Sequence, residues 1–274
     1  MSSIVTDQGI VHYESFGQGP PVILLHGWLG SWGIWQYAMA NLGTAFRTYA
    51  LDFWGFGESG KKHPQFTVDD FVSLVEQFME QLGITRAPLV GHSMGGTVSL
   101  SVAIRFPERV SKVIVVGAPI VGGALSPLLR LAGYRPAAFL AHNVPGALRL
   151  GLRLFAPLIT TPAREWYNMQ ERDLSRTTLE SFLFSIASLR RTDLRPRLHE
   201  IGVPTLGIYG GGDNIVHPKQ YEPLQAGVPQ AKIKIMQNAR HFPMLDQPDE
   251  FLHIVREFLA RPEPLETVYP DGGL

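Results

Sequence analysis

Residues 91–96 read Gly91-His92-Ser93-Met94-Gly95-Gly96, a G-x-S-x-G string between a short apolar run, Pro88 to Gly91, and a stretch with helical spacing, Met94 to Phe106. A serine on such a strand-to-helix turn is presented for nucleophilic attack, because Gly91 and Gly95 remove Cβ atoms that would collide where strand and helix meet. It also stands at a helix N-terminus, where free N–H groups and the dipole favour the negative charge that develops in acyl transfer. A serine among glycines is ordinarily a turn or cap residue. The flanking elements favour the nucleophile here.

A hydroxyl is a weak nucleophile near neutral pH, so it needs a base and a group that orients the base. Tyr209-Gly210-Gly211-Gly212-Asp213-Asn214 puts a carboxylate just past an expected strand, and Ala239-Arg240-His241-Phe242-Pro243 puts an imidazole after the next strand and before the last helix. The order Ser93, Asp213, His241 suits catalysis from this kind of elbow. Taken singly, Asp213 could close a glycine turn and His241 could cap a helix. His217 is a competing base, but its loop is a poor place from which to reach Ser93. His26 and His92 read as structural hydrogen-bonding groups near the site, and His12, His63, His142, His199 and His253 show no partner pattern. No histidine pair is spaced with a carboxylate as a metal set would be, and Gly210-Gly211-Gly212 lacks the spacing and the Lys-Ser/Thr of a phosphate loop, so neither metal nor cofactor is expected.

These residues need a scaffold that brings loop ends together. Strands are expected at Ile10–Phe16, Val22–Leu25, Phe46–Leu51, Pro88–Gly91, Lys112–Val116, Thr205–Tyr209 and Lys232–Met236. Helices are expected around Ile34–Leu42, from a capping box at Thr67-Val68-Asp69-Asp70 to Leu82, over Met94–Phe106, near Pro218–Ala226 and over Pro248–Leu259. Alternation of this kind predicts an α/β fold, a mostly parallel sheet doubly wound by helices, with function at strand C-termini. Between Ile120 and Pro196 no strand is evident. That segment has ten Arg, and Pro127, Pro136, Pro145, Pro157 and Pro162 are expected to cut it into short helices. The end from Arg261 to Leu274 reads as an extended tail.

Two further motifs, His26-Gly27-Trp28 and Asp52-Phe53-Trp54-Gly55-Phe56-Gly57-Glu58-Ser59, join the elbow and the downstream Asp and His. Together they resemble the α/β-hydrolase superfamily, in its serine-nucleophile, cap-bearing branch, over nearly the whole chain. The resemblance implies an oxyanion hole from the backbone N–H groups of Trp28 and Met94. It also implies a discontinuous core, 1–119 plus 197–274, and a helical cap over the site, 120–196. Members with aspartate at the elbow hydrolyse epoxides or carbon–halogen bonds. Ser93 instead suits attack on an sp² carbonyl, collapse to an acyl-enzyme and water attack assisted by the same histidine. The family's alternative acid position holds Gly117, Ala118 and Pro119, which leaves Asp213. A carboxylic ester hydrolase is expected. C–C bond hydrolases, lactonases, thioesterases and perhydrolases on the same triad stay open, as does a non-catalytic ligand-binding protein on this scaffold.

The aromatic residues Trp28, Trp32, Trp35, Phe53, Trp54 and Phe56 lie in loops or first turns at strand ends, where packing and pocket lining compete. Trp28, Trp32 and Trp54, with Phe242, are the expected substrate-binding side chains. In the cap, Arg130, Arg135, Arg149 and Arg153 alternate with aliphatic residues. That pattern fits a surface touching anionic lipid or, better, Arg stems lying over apolar helix faces. An aliphatic cap suggests a small to medium apolar ester.

Composition sets the outer limits. The 274 residues are 45% hydrophobic and carry 24 Lys plus Arg against 24 Asp plus Glu. Such a chain folds without staples, and its net charge of zero argues against nucleic acid as the main partner. Cysteine is absent, which excludes disulfides, thiolate metal sites and a thiol nucleophile. No apolar run is long enough to span a bilayer, and residues 1–19 do not read as a secretory signal, so a cytoplasmic location is expected.

Overall fold

The computed structural model describes residues 2–62, 65–127, 129 and 145–262. His63, His142, Arg130, Arg135, Pro136 and the tail from 263 onward lie outside the described residues.

Among the described residues eight strands form one sheet: β1 (Ser2–Thr6), β2 (Gly9–Phe16), β3 (Pro21–Leu25), β4 (Arg47–Leu51), β5 (Ala87–His92), β6 (Val110–Val116), β7 (Thr205–Gly210) and β8 (Lys232–Met236). Their spatial order is β1-β2-β4-β3-β5-β6-β7-β8. β1 pairs antiparallel with β2, and β2 with β4. Every other pairing is parallel. The loops that follow β3 to β8 therefore open at one edge of the sheet.

Side-chain alternation along the strands explains the layers. In β3, Val22 and Leu24 join one buried cluster while Ile23 and Leu25 join the other. In β6, Ile114 and Val116 face the first cluster, and Val113 and Val115 the second. One face is covered by α1 (Gln36–Leu42), through Ala38, Met39 and Leu42, and by Phe251, Val255 and Leu259 of a C-terminal helix, Pro248–Ala260. The opposite face is covered by α2 (Val68–Gln81) and α3 (Met94–Arg105). Strands buried on both sides need continuous apolar sequence, which is why β3 and β6 read as unbroken runs. The α2 terminus carries the expected capping box: Thr67 Oγ1 accepts from the Asp70 N–H, and Asp70 accepts from the Thr67 N–H at 2.7 Å.

Between β6 and β7 the described residues include the α-helices α4 (Pro145–Ile159), α5 (Ala163–Leu174) and α6 (Leu179–Arg191). Pro145 opens α4 and Pro162 precedes α5, but Pro157 does not cut its helix, contrary to expectation. It sits two residues from the end of α4, where few backbone bonds remain to be lost. The two ends of this insertion meet. The Gly122 N–H donates to Thr192 O at 2.8 Å and the Leu194 N–H to Ile120 O at 3.1 Å, on either side of a Val121–Asp193 bridge. After β7 come α7 (Tyr221–Gly227), β8, α8 (Pro243–Asp246) and α9 (Pro248–Ala260). Among the described residues no helix is long and apolar enough to cross a membrane.

Candidate active site

β5 ends at His92, and the chain reverses into α3 through Ser93, whose φ of 51° and ψ of −118° lie where side chains are strained. The turn is held by the Ser93 N–H, which donates to Val116 O at 2.8 Å. Its glycines are required by close approach. A Cβ on Gly91 would stand 2.2 Å from Gly95 O, and one on Gly95 would stand 2.4 Å from Leu25 O. Any larger residue would push α3 off the end of β3 and β5.

The loop after β3 lies directly against this elbow. A Cβ on Gly27 would come within 3.1 Å of the Ser93 Cβ and 2.8 Å of the His92 Nδ1. His26 shapes the loop: its Nδ1 donates to Gly27 O at 2.7 Å and its Nε2 accepts from the Phe53 N–H at 3.0 Å, which defines one neutral tautomer. Complete burial lowers its pKa and favours that neutral form, although the Asp52 carboxylate pulls the other way. Gly27 O also accepts from the Gly30 N–H at 3.1 Å across a turn with Leu29 at φ 60°. The N–H groups of Trp28 and Met94 have no hydrogen-bond acceptor among the described residues.

Asp213, past β7, and His241, past β8, are buried and adjacent, with His241 Nδ1 2.8 Å from Asp213 Oδ2. The other carboxylate oxygen of Asp213 accepts from the N–H groups of Ile215 and Val216 at 2.8 and 2.9 Å, which fixes its direction. Because a carboxylate can only accept, the Nδ1 of His241 carries the proton and its Nε2 presents a lone pair. Gly117, at φ 55°, leaves space beside both side chains. His92 Nε2 lies 2.9 Å from His241 O. Burial, with the His241 ring next in weight, drives the His92 pKa well below its ordinary value, so this imidazole stays neutral.

Ser93 and His241 line the same cavity, of about 350 Å³, at the small end of the range for ligand pockets. Among the described residues the Ser93 hydroxyl makes no hydrogen bond. His92, Trp28 and Phe242 also face the cavity. The Trp28 ring packs on Phe182 with centroids 4.6 Å apart, and its Nε1 donates to Phe182 O at 3.2 Å.

Trp32 and Trp54, expected beside them, do not line the cavity. The Trp32 backbone N–H is drawn to Asp52 Oδ1 at 2.7 Å, its ring packs on the α1 face of the core, and Ile34 reaches the cavity instead. Trp54 belongs to the loop after β4, one strand further from β5, and is fully buried in the cluster that contains Phe53 and Phe71. Most of the remaining lining comes from the insertion, chiefly Leu152, Phe155, Trp166, Gln170 and Ile186. Helical periodicity could have nominated α5 as amphipathic, but only packing shows which of its residues face Ser93.

The insertion also grips the histidine loop. The His241 N–H donates to Ile159 O at 3.1 Å, and Asn214 Nδ2 donates to Leu158 O at 3.2 Å. Asp246 accepts from the Arg240 N–H at 2.6 Å, from Thr160 Oγ1 at 2.7 Å and from the Thr161 N–H at 2.5 Å.

Comparison with known proteins agrees with this architecture. The chain is 28% identical over 255 residues to a pimeloyl-[acyl-carrier protein] methyl ester esterase of Vibrio campbellii, covering 91% of this chain and 98% of that protein. It is 30% identical over 269 residues to a 2-hydroxy-6-oxo-6-phenylhexa-2,4-dienoate hydrolase of Comamonas testosteroni, covering 92% of each. Among solved structures, the enol-lactonase of Burkholderia xenovorans LB400 superposes with a TM-score of 0.84 at 24% identity, over 95% of this chain and all of that one. Residues 20–248 match the family described as alpha/beta hydrolase fold, and the chain belongs to that family.

Proposed function

We propose that the protein is a serine hydrolase that cleaves carboxylic esters with apolar substituents through an acyl-enzyme. The observation that carries this reading is the strained Ser93, set between β5 and α3 on the wall of the cavity that also holds His241, itself paired with Asp213. The lone pair on His241 Nε2 takes the proton as Ser93 Oγ attacks the carbonyl carbon, and Asp213 steadies the resulting imidazolium. The tetrahedral oxyanion is received by the free N–H groups of Trp28 and Met94, an interaction for which removal of one donor typically costs about 10²–10³ in kcat. His241 then returns the proton to the departing alcohol, and a water, deprotonated by the same imidazole, releases the acid. Helices α4 to α6 act as a cap whose aliphatic residues exclude bulk water and strengthen these interactions.

The Vibrio relative is a methyl ester esterase and the Comamonas relative a dienoate hydrolase, and both activities fit such a site. Ester cleavage is preferred here. The Comamonas substrate is a dienoate, an anion, whereas no Lys or Arg lines this cavity among the described residues.

Incubation with a fluorophosphonate followed by peptide mapping tests the assignment. Labelling is expected at Ser93 and is lost in Ser93→Ala, with ester turnover falling by about three orders of magnitude or more. Unlabelled folded protein, or equal turnover by the variant, would overturn it.

A further inference from the structure

Helix α5 buries Trp166, Gln170 and Asp173, spaced i, i+4 and i+7, on one face. Both ends of that face are fastened. The Trp166 ring lies 5.8 Å from the ring of Phe242, next to His241, and Asp173 Oδ1 accepts from Ser31 Oγ at 3.0 Å, just past the Gly27–Gly30 turn. Gln170 stands between these anchors, about one helical turn from each. It is 6% exposed and borders the cavity, where its amide is open to the cavity space and has no protein hydrogen-bond partner among the described residues. Much of the cavity lining is aliphatic or aromatic and offers an amide no partner, as at Ile34, Leu152, Phe155, Ile159 and Ile186.

An amide that faces an otherwise apolar cavity with no protein partner points to a ligand group that completes it. An amide presents donors and an acceptor without charge, and no Lys, Arg, Asp or Glu lines the cavity among the described residues. We propose that Gln170 is a specificity-determining subsite that hydrogen-bonds an uncharged oxygen carried along the otherwise apolar chain of the substrate. The preferred substrate is then an ester with a keto, hydroxyl or amide group in that chain rather than a plain alkyl ester. This inference rests on the reading of Ser93 as the nucleophile. A site built to pair a polar group rejects analogues that lack it, because the pairing group is then stranded.

The test compares wild type, Gln170→Leu and Gln170→Met on two ester series assayed by proton release. In one, a ketone is moved along the acyl chain of a methyl octanoate; in the other, along the alkyl chain of an octyl acetate. For at least one ketone position, wild type is expected to prefer the oxo ester over its plain parent in kcat/KM. Both variants are expected to cut that preference about tenfold, by lowering kcat/KM for the oxo ester more than for the plain parent. A preference that moves less than about threefold at every position in both series, in a variant that melts as wild type does, overturns the subsite. If fluorophosphonate labelling of Ser93 persists in that case, the hydrolase reading stands and only the role of Gln170 falls. If labelling is absent from wild type, both fall.

Discussion

The main-chain N–H of His241 donates to the carbonyl of Ile159 at 3.1 Å, so the loop that carries the proposed base hangs on the C-terminal end of α4. Asp246 completes the attachment by accepting from Arg240, Thr160 and Thr161 together. The imidazole is thus oriented from two sides: by Asp213 through its ring, and by the insertion through its backbone.

Removing the Asp246 carboxylate should loosen that second side without touching substrate. Asp246→Ala is expected to lower kcat about tenfold or more with little change in KM, since small misplacements of a catalytic group are costly. Asp246→Asn, which keeps one acceptor oxygen, should recover part of the loss. Steady-state kinetics on an aryl ester decides the point; a change confined to KM would argue that the loop is not positioned in this way.

The elbow holds strain that a glycine would not feel. At φ 51° and ψ −118°, Ser93 occupies a region that side chains enter at a cost of about 1–3 kcal/mol. Ser93→Gly and Ser93→Ala should both be inactive, but the glycine variant should be the more stable by about 1 kcal/mol, a difference of a few degrees in Tm. Coincident melting curves for the two variants would mean that the turn stores no such energy.

Stability should fall with pH through Asp173. Burial lifts its carboxyl to about 6, against the Ser31 hydrogen bond and the neighbouring Arg172 guanidinium, and its Oδ2 has no partner among the described residues. The unfolded chain releases this proton near pH 4 and the folded chain near 6, so between those values the folded state holds a proton that the unfolded state has lost. Stability must decline across that window and stay lower above it, by something of order 2–3 kcal/mol. Asp173→Asn, neutral throughout, should match wild type near pH 4 and exceed it at pH 7 in thermal melting. Parallel curves would exclude the effect. His12 acts in the same sense at higher pH. Burial lowers its pKa, but Asp52 at 2.9 Å and Glu14 at 3.3 Å more than offset this, so its stabilisation is full below about 6.5 and lost as pH climbs through the raised value.

Much of this arrangement was legible because it is imposed over short stretches of chain. The collision awaiting any Cβ at Gly91 or Gly95 is a local matter of strand meeting helix, and it leaves a mark in the sequence. The parallel sheet followed from apolar runs such as Val22–Leu25, and the placement of Asp213 and His241 beyond β7 and β8 followed from the alternation of strand and helix. Side-chain direction at the end of a loop is another matter. Trp32 and Trp54 occupy the expected loops, yet an Asp52 hydrogen bond turns one aside and the position of β4 buries the other. Asp173 and Asp246 gain their partners, and Gln170 its surroundings, only when α4 and α5 settle on the core, and no spacing in the sequence encodes that meeting. β1 was likewise invisible, because Ser2–Thr6 holds only two apolar residues, Ile4 and Val5, and lies half-exposed at the edge of the sheet.

The bridge at Val121–Asp193 has a further consequence. Because the chain enters and leaves the insertion through paired neighbours, the described helices between them sit like a plug on a socket, with Gly122 as the fitting that admits no side chain beside Leu189 O. Exchanging that plug for a shorter or differently shaped helical hairpin would close the loop at little entropic expense and leave the sheet intact. Because the insertion also holds the His241 loop through Ile159, Thr160 and Thr161, a graft that keeps the imidazole in place has to restore those contacts as well as this joint.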